Sequence, residues 1–171
     1  MAATYELIES VVLGSAAASV TFSGIPGTFD DLMIVGSVRM SQSTTFDLAK
    51  IRFNGAVSDT SHSSRGLVGD GSSPGSANVS DCRLGAINGP TSTSNTFTSF
   101  EIYLPNYAGA TNKSYSSTCT QETNATTAYI QAWAGLWSST SAITQVQFLS
   151  ALYSGNFVIG STFHLYGITK A

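Results

Sequence analysis

The chain has 171 residues and a formal net charge of −3, with only 10% of positions charged and 42% hydrophobic. That length fits one domain able to hold its own core. Seven scattered Lys and Arg residues exclude the clustered basic stripe that neutralises nucleic-acid phosphates, and no basic-then-apolar leader or membrane-length apolar run stands in the sequence.

With so few charges, hydroxyls have to keep the surface wet. There are 27 Ser and 20 Thr, 47 of 171 residues, each able to bond water or a turn backbone. Desolvating a hydroxyl costs far less than desolvating a charge, so such a surface suits copies that pack side by side.

In chain order, Tyr5, Leu7, Ile8, Val11 and Leu13 open an apolar segment over residues 5–13. Residues 1–13 read as an ordinary first strand or as an interface arm or edge strand. Residues 9–18 carry one weak helical candidate around Ala16-Ala17-Ala18, opposed by the β-branched pair Val11-Val12. Val20 and Phe22 alternate with hydroxyls, which predicts a strand that stops at Gly24-Ile25-Pro26-Gly27. Residues 31–40 read as a more buried strand. In residues 45–53, Phe46 and Leu48 alternate, but Ile51 and Phe53 resume one step out of phase, which predicts a β-bulge near Ala49-Lys50. Asn54-Gly55 is a turn pair.

From residue 56 to 95 the pattern dissolves into Ser, Gly, Asp and Pro and reads as a long loop insertion, with one short strand at residues 82–87. Alternation returns with Phe100, Ile102 and Leu104 in residues 96–104, and Pro105 to Gly109 close that strand. Further strands are predicted over residues 113–121, 127–136, 142–150 and 157–168. The total is about eight to ten strands in a single domain spanning residues 1–171, the signature of an all-β, jelly-roll-like antiparallel β-sandwich.

Chemistry-bearing patterns are sparse. His62 and His164 are the only imidazoles, and no GxSxG elbow frames a serine. Asp59, Asp70 and Asp81 are spaced too widely for an EF-hand, and Glu101 reads as a solvated residue opposite Phe100 and Ile102. Cys82 and Cys119 lack metal or CxxC spacing and read as free thiols. No catalytic, cofactor or metal residue is therefore assigned, and the chain is not expected to be an enzyme. Tyr103, Tyr107, Tyr129, Trp133 and Trp137 read as core or subunit contacts before carbohydrate platforms.

Several phrases resemble small virion proteins of bacteriophages and cyanophages of the jelly-roll type. They are Phe22-Ser23-Gly24-Ile25-Pro26 running through Asp31-Leu32 to Val38-Arg39, Ile51-Arg52-Phe53-Asn54-Gly55, and Ile102-Tyr103-Leu104-Pro105-Asn106-Tyr107. Trp137-Ser138-Ser139 and the closing stretch Gly160 to Ile168 complete the set. The resemblance implies a capsid decoration, or cement, protein made in the host bacterial cytoplasm and carried on the outer surface of the head. Its implied partners are the major capsid protein and further copies of itself, a trimer being favoured, with no nucleic acid and no membrane. The alternative is a tail or fibre domain that binds host glycan. On the decoration reading Tyr5, Leu7, Ile8, Val11 and Leu13 are the candidate interface residues, docking on the shell or on a sister subunit.

Overall fold

The computed structural model describes residues 4–56, 59–124 and 128–170. Residues 1–3 of the expected arm, 57–58 of the expected loop and Thr127 of an expected strand lie outside them. Among the described residues no helix is long and apolar enough to cross a membrane.

Alternation of large apolar and small polar residues produces twelve strands in the described residues. They are β1 (Thr4–Val12), β2 (Ser19–Ser23), β3 (Asp31–Val38), β4 (Phe46–Phe53), β5 (His62–Gly69), β6 (Pro74–Val79), β7 (Cys82–Asn88), β8 (Thr98–Pro105), β9 (Lys113–Gln121), β10 (Tyr129–Trp137), β11 (Gln145–Ser150) and β12 (Thr162–Thr169). Eight form one antiparallel sheet in the order β1-β12-β3-β8-β9-β10-β5-β6, and four form a second in the order β2-β11-β4-β7.

The pairing is that of a rolled-up ribbon. Setting aside β5, β6, β9 and β10, the first strand pairs with the last (β1 with β12), the second with the second-last (β2 with β11), β3 with β8 and β4 with β7. That nesting is a jelly roll, and the expected fold class stands. The remaining four strands are two hairpins, β5–β6 and β9–β10, inserted between jelly-roll strands and both added beyond β8 to widen one sheet.

Between the sheets, Phe148 of β11 meets Phe100 and Phe163 of the large sheet at centroid distances of 5.8 and 5.1 Å, and Phe22 and Phe157 close the cluster. A second aromatic group, Phe53, Tyr115, Trp137 and His62, fills the space under the added hairpins.

The widened sheet curls over the free edge of the small one. Among the described residues β7 pairs only with β4, which leaves its other edge without a partner strand, yet every residue of β7 is buried. Inward side chains of four large-sheet strands occupy that edge. The Ser64 hydroxyl accepts the Arg83 N–H at 3.1 Å, the Tyr115 hydroxyl donates to the Arg83 carbonyl at 2.9 Å, and Ser117 donates to the Leu84 carbonyl at 3.1 Å. Gln131 Oε1 accepts the Ala86 N–H at 2.9 Å, Cys119 Sγ donates to the Ala86 carbonyl at 3.1 Å, and Thr98 Oγ1 accepts the Asn88 N–H at 2.9 Å. Unmet backbone groups at a buried edge would cost on the order of 1–3 kcal/mol each. The approach is so close that a Cβ on Gly85, which sits at φ +146°, would lie 2.6 Å from Cys119 Cβ.

Four expectations need correction. Residues 56–95 are not a loop insertion, because β5, β6 and β7 lie within them and pair into both sheets. Their runs of Ser and Gly hide the strands; Gly66, for instance, is bare because the Trp133 ring lies where its Cβ would stand. The strand total accordingly exceeds ten. No helix forms over residues 9–18: β1 runs to Val12, and Ala17 bridges to Phe157. The register shift does fall at Ala49/Lys50, but the extra residue is Leu84 on β7. β4 itself alternates without a break, turning Asp47, Ala49, Ile51 and Phe53 inward.

Gln131→Leu keeps the volume and deprives the buried Ala86 N–H and Trp133 Nε1–H of their shared acceptor. The expected loss is about 1–3 kcal/mol for each stranded group, read as a lower urea midpoint with an unchanged slope.

Candidate functional site

Register along the large sheet fixes which side chains share its outer face, the one turned away from the small sheet. One row runs Ser10, His164, Val35, Glu101, Thr118, Ala132, Leu67, Ser76, from β1 across to β6. The next runs Leu7, Tyr166, Met33, Tyr103, Ser116, Ala134, Arg65, Asn78. On the other side lies the row Val12, Thr162, Ser37, Ser99, Thr120, Ile130, Gly69, Pro74. Eight strands about 4.8 Å apart and about eight residues long make a face of roughly 38 by 26 Å, or about 1,000 Å². One partner of a standard protein interface contributes about 800 Å².

These three rows hold two formal charges, Glu101 and Arg65, both exposed. Large apolar side chains stand open at both sides of the face: Tyr5 58% and Leu7 52% exposed near β1, Leu67 70% and Ile130 59% exposed on the added hairpins. Between them β9 presents the hydroxyl column Ser114, Ser116, Thr118 and Thr120, all exposed. Apolar and hydroxyl groups without charge are what an interface core buries at least cost.

The five residues singled out at the N-terminus divide. Tyr5 and Leu7 lie on this face. Ile8 is the bulged residue of β1 and packs with Val11 and Leu13 against the core. Residues 4–12 therefore form the edge strand of the large sheet, paired with β12 along their length. Sequence reasoning missed Leu67, Ile130, Ala132 and Ala134; alternation in β10 marked one open face, but its meaning depended on a neighbour, β5, read as loop.

At one end of the face Asp31 is buried and holds three donors. The Tyr103 hydroxyl lies 2.6 Å and the Asn106 N–H 2.9 Å from its oxygens, and the Lys170 ammonium closes the C-terminal strand onto it at 2.9 Å. Burial pushes the Asp31 carboxyl up, but these hydrogen bonds and the ammonium outweigh it and hold the group below the usual carboxylate range.

The remaining candidates for chemistry do not converge. His62 stacks on Trp137 beneath the large sheet, whereas His164 lies on the outer face with Nδ1 2.9 Å from Ser10 Oγ. Asp70 is spent on a turn, accepting the N–H groups of Ser72 and Ser73, and Asp81 pairs with Arg83 at 2.8 Å. Among the described residues no group of three His, Cys, Asp or Glu could hold a metal ion. Trp133, Trp137 and Tyr107 are buried and offer no stacking platform, whereas Tyr129 is half-buried, packs edge-on against Phe46 and lines an open cleft beside Ile130. Cys82 and Cys119 are buried thiols not joined in a disulfide, and burial pushes the Cys119 thiol up to about 12.

Comparison with protein-family models, with curated proteins and with solved structures finds no match.

Two outcomes follow from these environments. Both thiols should resist a water-soluble thiol reagent in the folded protein and react, two per chain, once it is unfolded. Asp31 contributes stability that is complete above the ordinary Asp range and is lost as pH falls through its depressed folded value. The stability gap between wild type and Asp31→Asn, measured by urea unfolding, should therefore be wide at neutral pH and shrink by about pH 3.

Proposed function

We propose that this chain is a virion structural protein, a capsid decoration protein that docks on the outer head shell through the β1 side of the large sheet's outer face. The observation that carries this reading is the breadth and neutrality of that face, with Tyr5 and Leu7 exposed at its margin beside Tyr166 and Met33. The phrase-level resemblance to phage jelly-roll proteins supports the choice of a shell as the partner.

The physical logic is mass action. A protein that binds only the assembled, expanded shell stabilises that state in proportion to its binding free energy and its concentration. A neutral contact of this kind loses little to salt, unlike one built on exposed ion pairs.

The test uses Tyr5→Asp/Leu7→Asp, two changes at exposed positions that should leave the melting temperature nearly unaltered. With heads stripped of their decoration, wild-type protein should rebind and raise the melting temperature of the particle. The double variant should bind at least about a hundredfold more weakly, since each change buries an uncompensated charge. Equal rebinding by the folded variant would overturn the reading.

A further inference from the structure

The half of the outer face built by β8, β9, β10 and β5 carries a pattern that is complementary to itself. Along β10 runs a trough of about 490 Å³ whose lining includes Ala132 and Ala134, with Arg65 and Leu67 on the β5 side and Ser116 and Thr118 on the β9 side. A trough of small residues on one strand lies directly beside a hydroxyl ridge on the next, β9.

We infer that a second copy of this chain packs face to face on this surface, about a two-fold axis that runs parallel to the strands between β9 and β10. Rotation about that axis sets the β9 ridge of each copy over the β10 trough of the other. Ser116 and Thr118 then face Ala134 and Ala132 of the second copy, and Thr120 lies under its Ile130. Strand directions stay aligned, as they do when sheets stack at about 10 Å.

The charges select this axis. Glu101 and Arg65 are the two formal charges among the outward positions from β8 to β6, one strand outside β9 and one strand outside β10 respectively. The two-fold rotation brings Arg65 of the second copy over Tyr103, one row from Glu101 and within reach of two long side chains. Symmetry makes the pair twice, so both charges of each copy are matched, and the guanidinium also gains an aromatic face.

The area suffices. Six strands, β3 through β6, overlap with their counterparts over roughly 29 by 24 Å. That is about 700 Å² per copy and about 1,400 Å² in all, within the range of specific interfaces. Strands β12 and β1 stay uncovered in both copies, so Tyr5 and Leu7 remain available to another partner. The inference therefore does not rest on what the β1 side touches. It departs from the trimer that the family resemblance implies, because the complementarity relates two surfaces and not three.

Sedimentation equilibrium on the full chain decides it. Wild type should behave as a dimer. Glu101→Arg alone and Arg65→Glu alone set like charges against each other twice per dimer and should weaken association more than about a hundredfold. The double exchange Glu101→Arg/Arg65→Glu restores the pairing and should restore the dimer. Both substitutions lie at exposed positions, so the melting temperatures of all three variants should stay close to wild type. A wild-type monomer, a wild-type trimer, single reversals that leave the dimer intact, or a double exchange that fails to rescue it would each overturn the inference.

Discussion

Everything distinctive about this fold depends on how the exposed edge of a four-stranded sheet is closed. A jelly roll leaves β7 with unpaired N–H and C=O groups at the margin of the small sheet, a row that would otherwise template pairing with another chain. Here no further strand among the described residues covers it. The large sheet is extended by two hairpins until its inner surface meets that edge, and Ser64, Thr98, Tyr115, Ser117, Cys119 and Gln131 supply hydrogen-bonding groups at the spacing of the β7 backbone. Polar residues under the wing are thereby part of the core, and they specify one register because a slip of one residue would bring every donor and acceptor to the wrong place.

A similar economy governs the cations. Of seven Lys and Arg residues, Arg39, Arg83 and Lys113 are buried. Arg39 donates to the carbonyls of Gly89, Ser92, Thr93 and Thr96, and so gathers the β7–β8 connection around one guanidinium without a carboxylate. Lys113 holds the carbonyls of Gly109 and Thr111 in the same manner. Burial pushes both groups below their usual values. Few charges are made, and nearly half of the positive ones are spent inside, which is why a face of eight strands can be so nearly neutral.

Neutrality and flatness together give that face its character. Exposed ion pairs on a surface contribute little to stability and resist burial, so their scarcity removes an obstacle to contact. Inward hydroxyls serve the β7 edge and outward ones form a ridge that water or a partner can cover. One strand, β9, does both: Tyr115, Ser117 and Cys119 point in, while Ser114, Ser116, Thr118 and Thr120 point out.

Sequence alone determined the class of fold, because period-two alternation in stretches such as Val20 to Phe22 and Phe100 to Leu104 admits only strands with one buried face. It also marked the Asn54-Gly55 turn, where both residues take positive φ, and it placed Tyr5 and Leu7 among the contact candidates. Tertiary structure alone decided the order of the strands, the existence of β5 and β6, and the side of β9 on which each hydroxyl lies in relation to β7. The reason is physical: a Ser or Gly carries no preference strong enough to announce a strand, and its role is set by what approaches it. Gly66 is a strand residue because the Trp133 ring covers it, and Ser117 is a core residue because the Leu84 carbonyl needs its proton. Such needs belong to residues distant in the chain, and they come into being when the sheets meet.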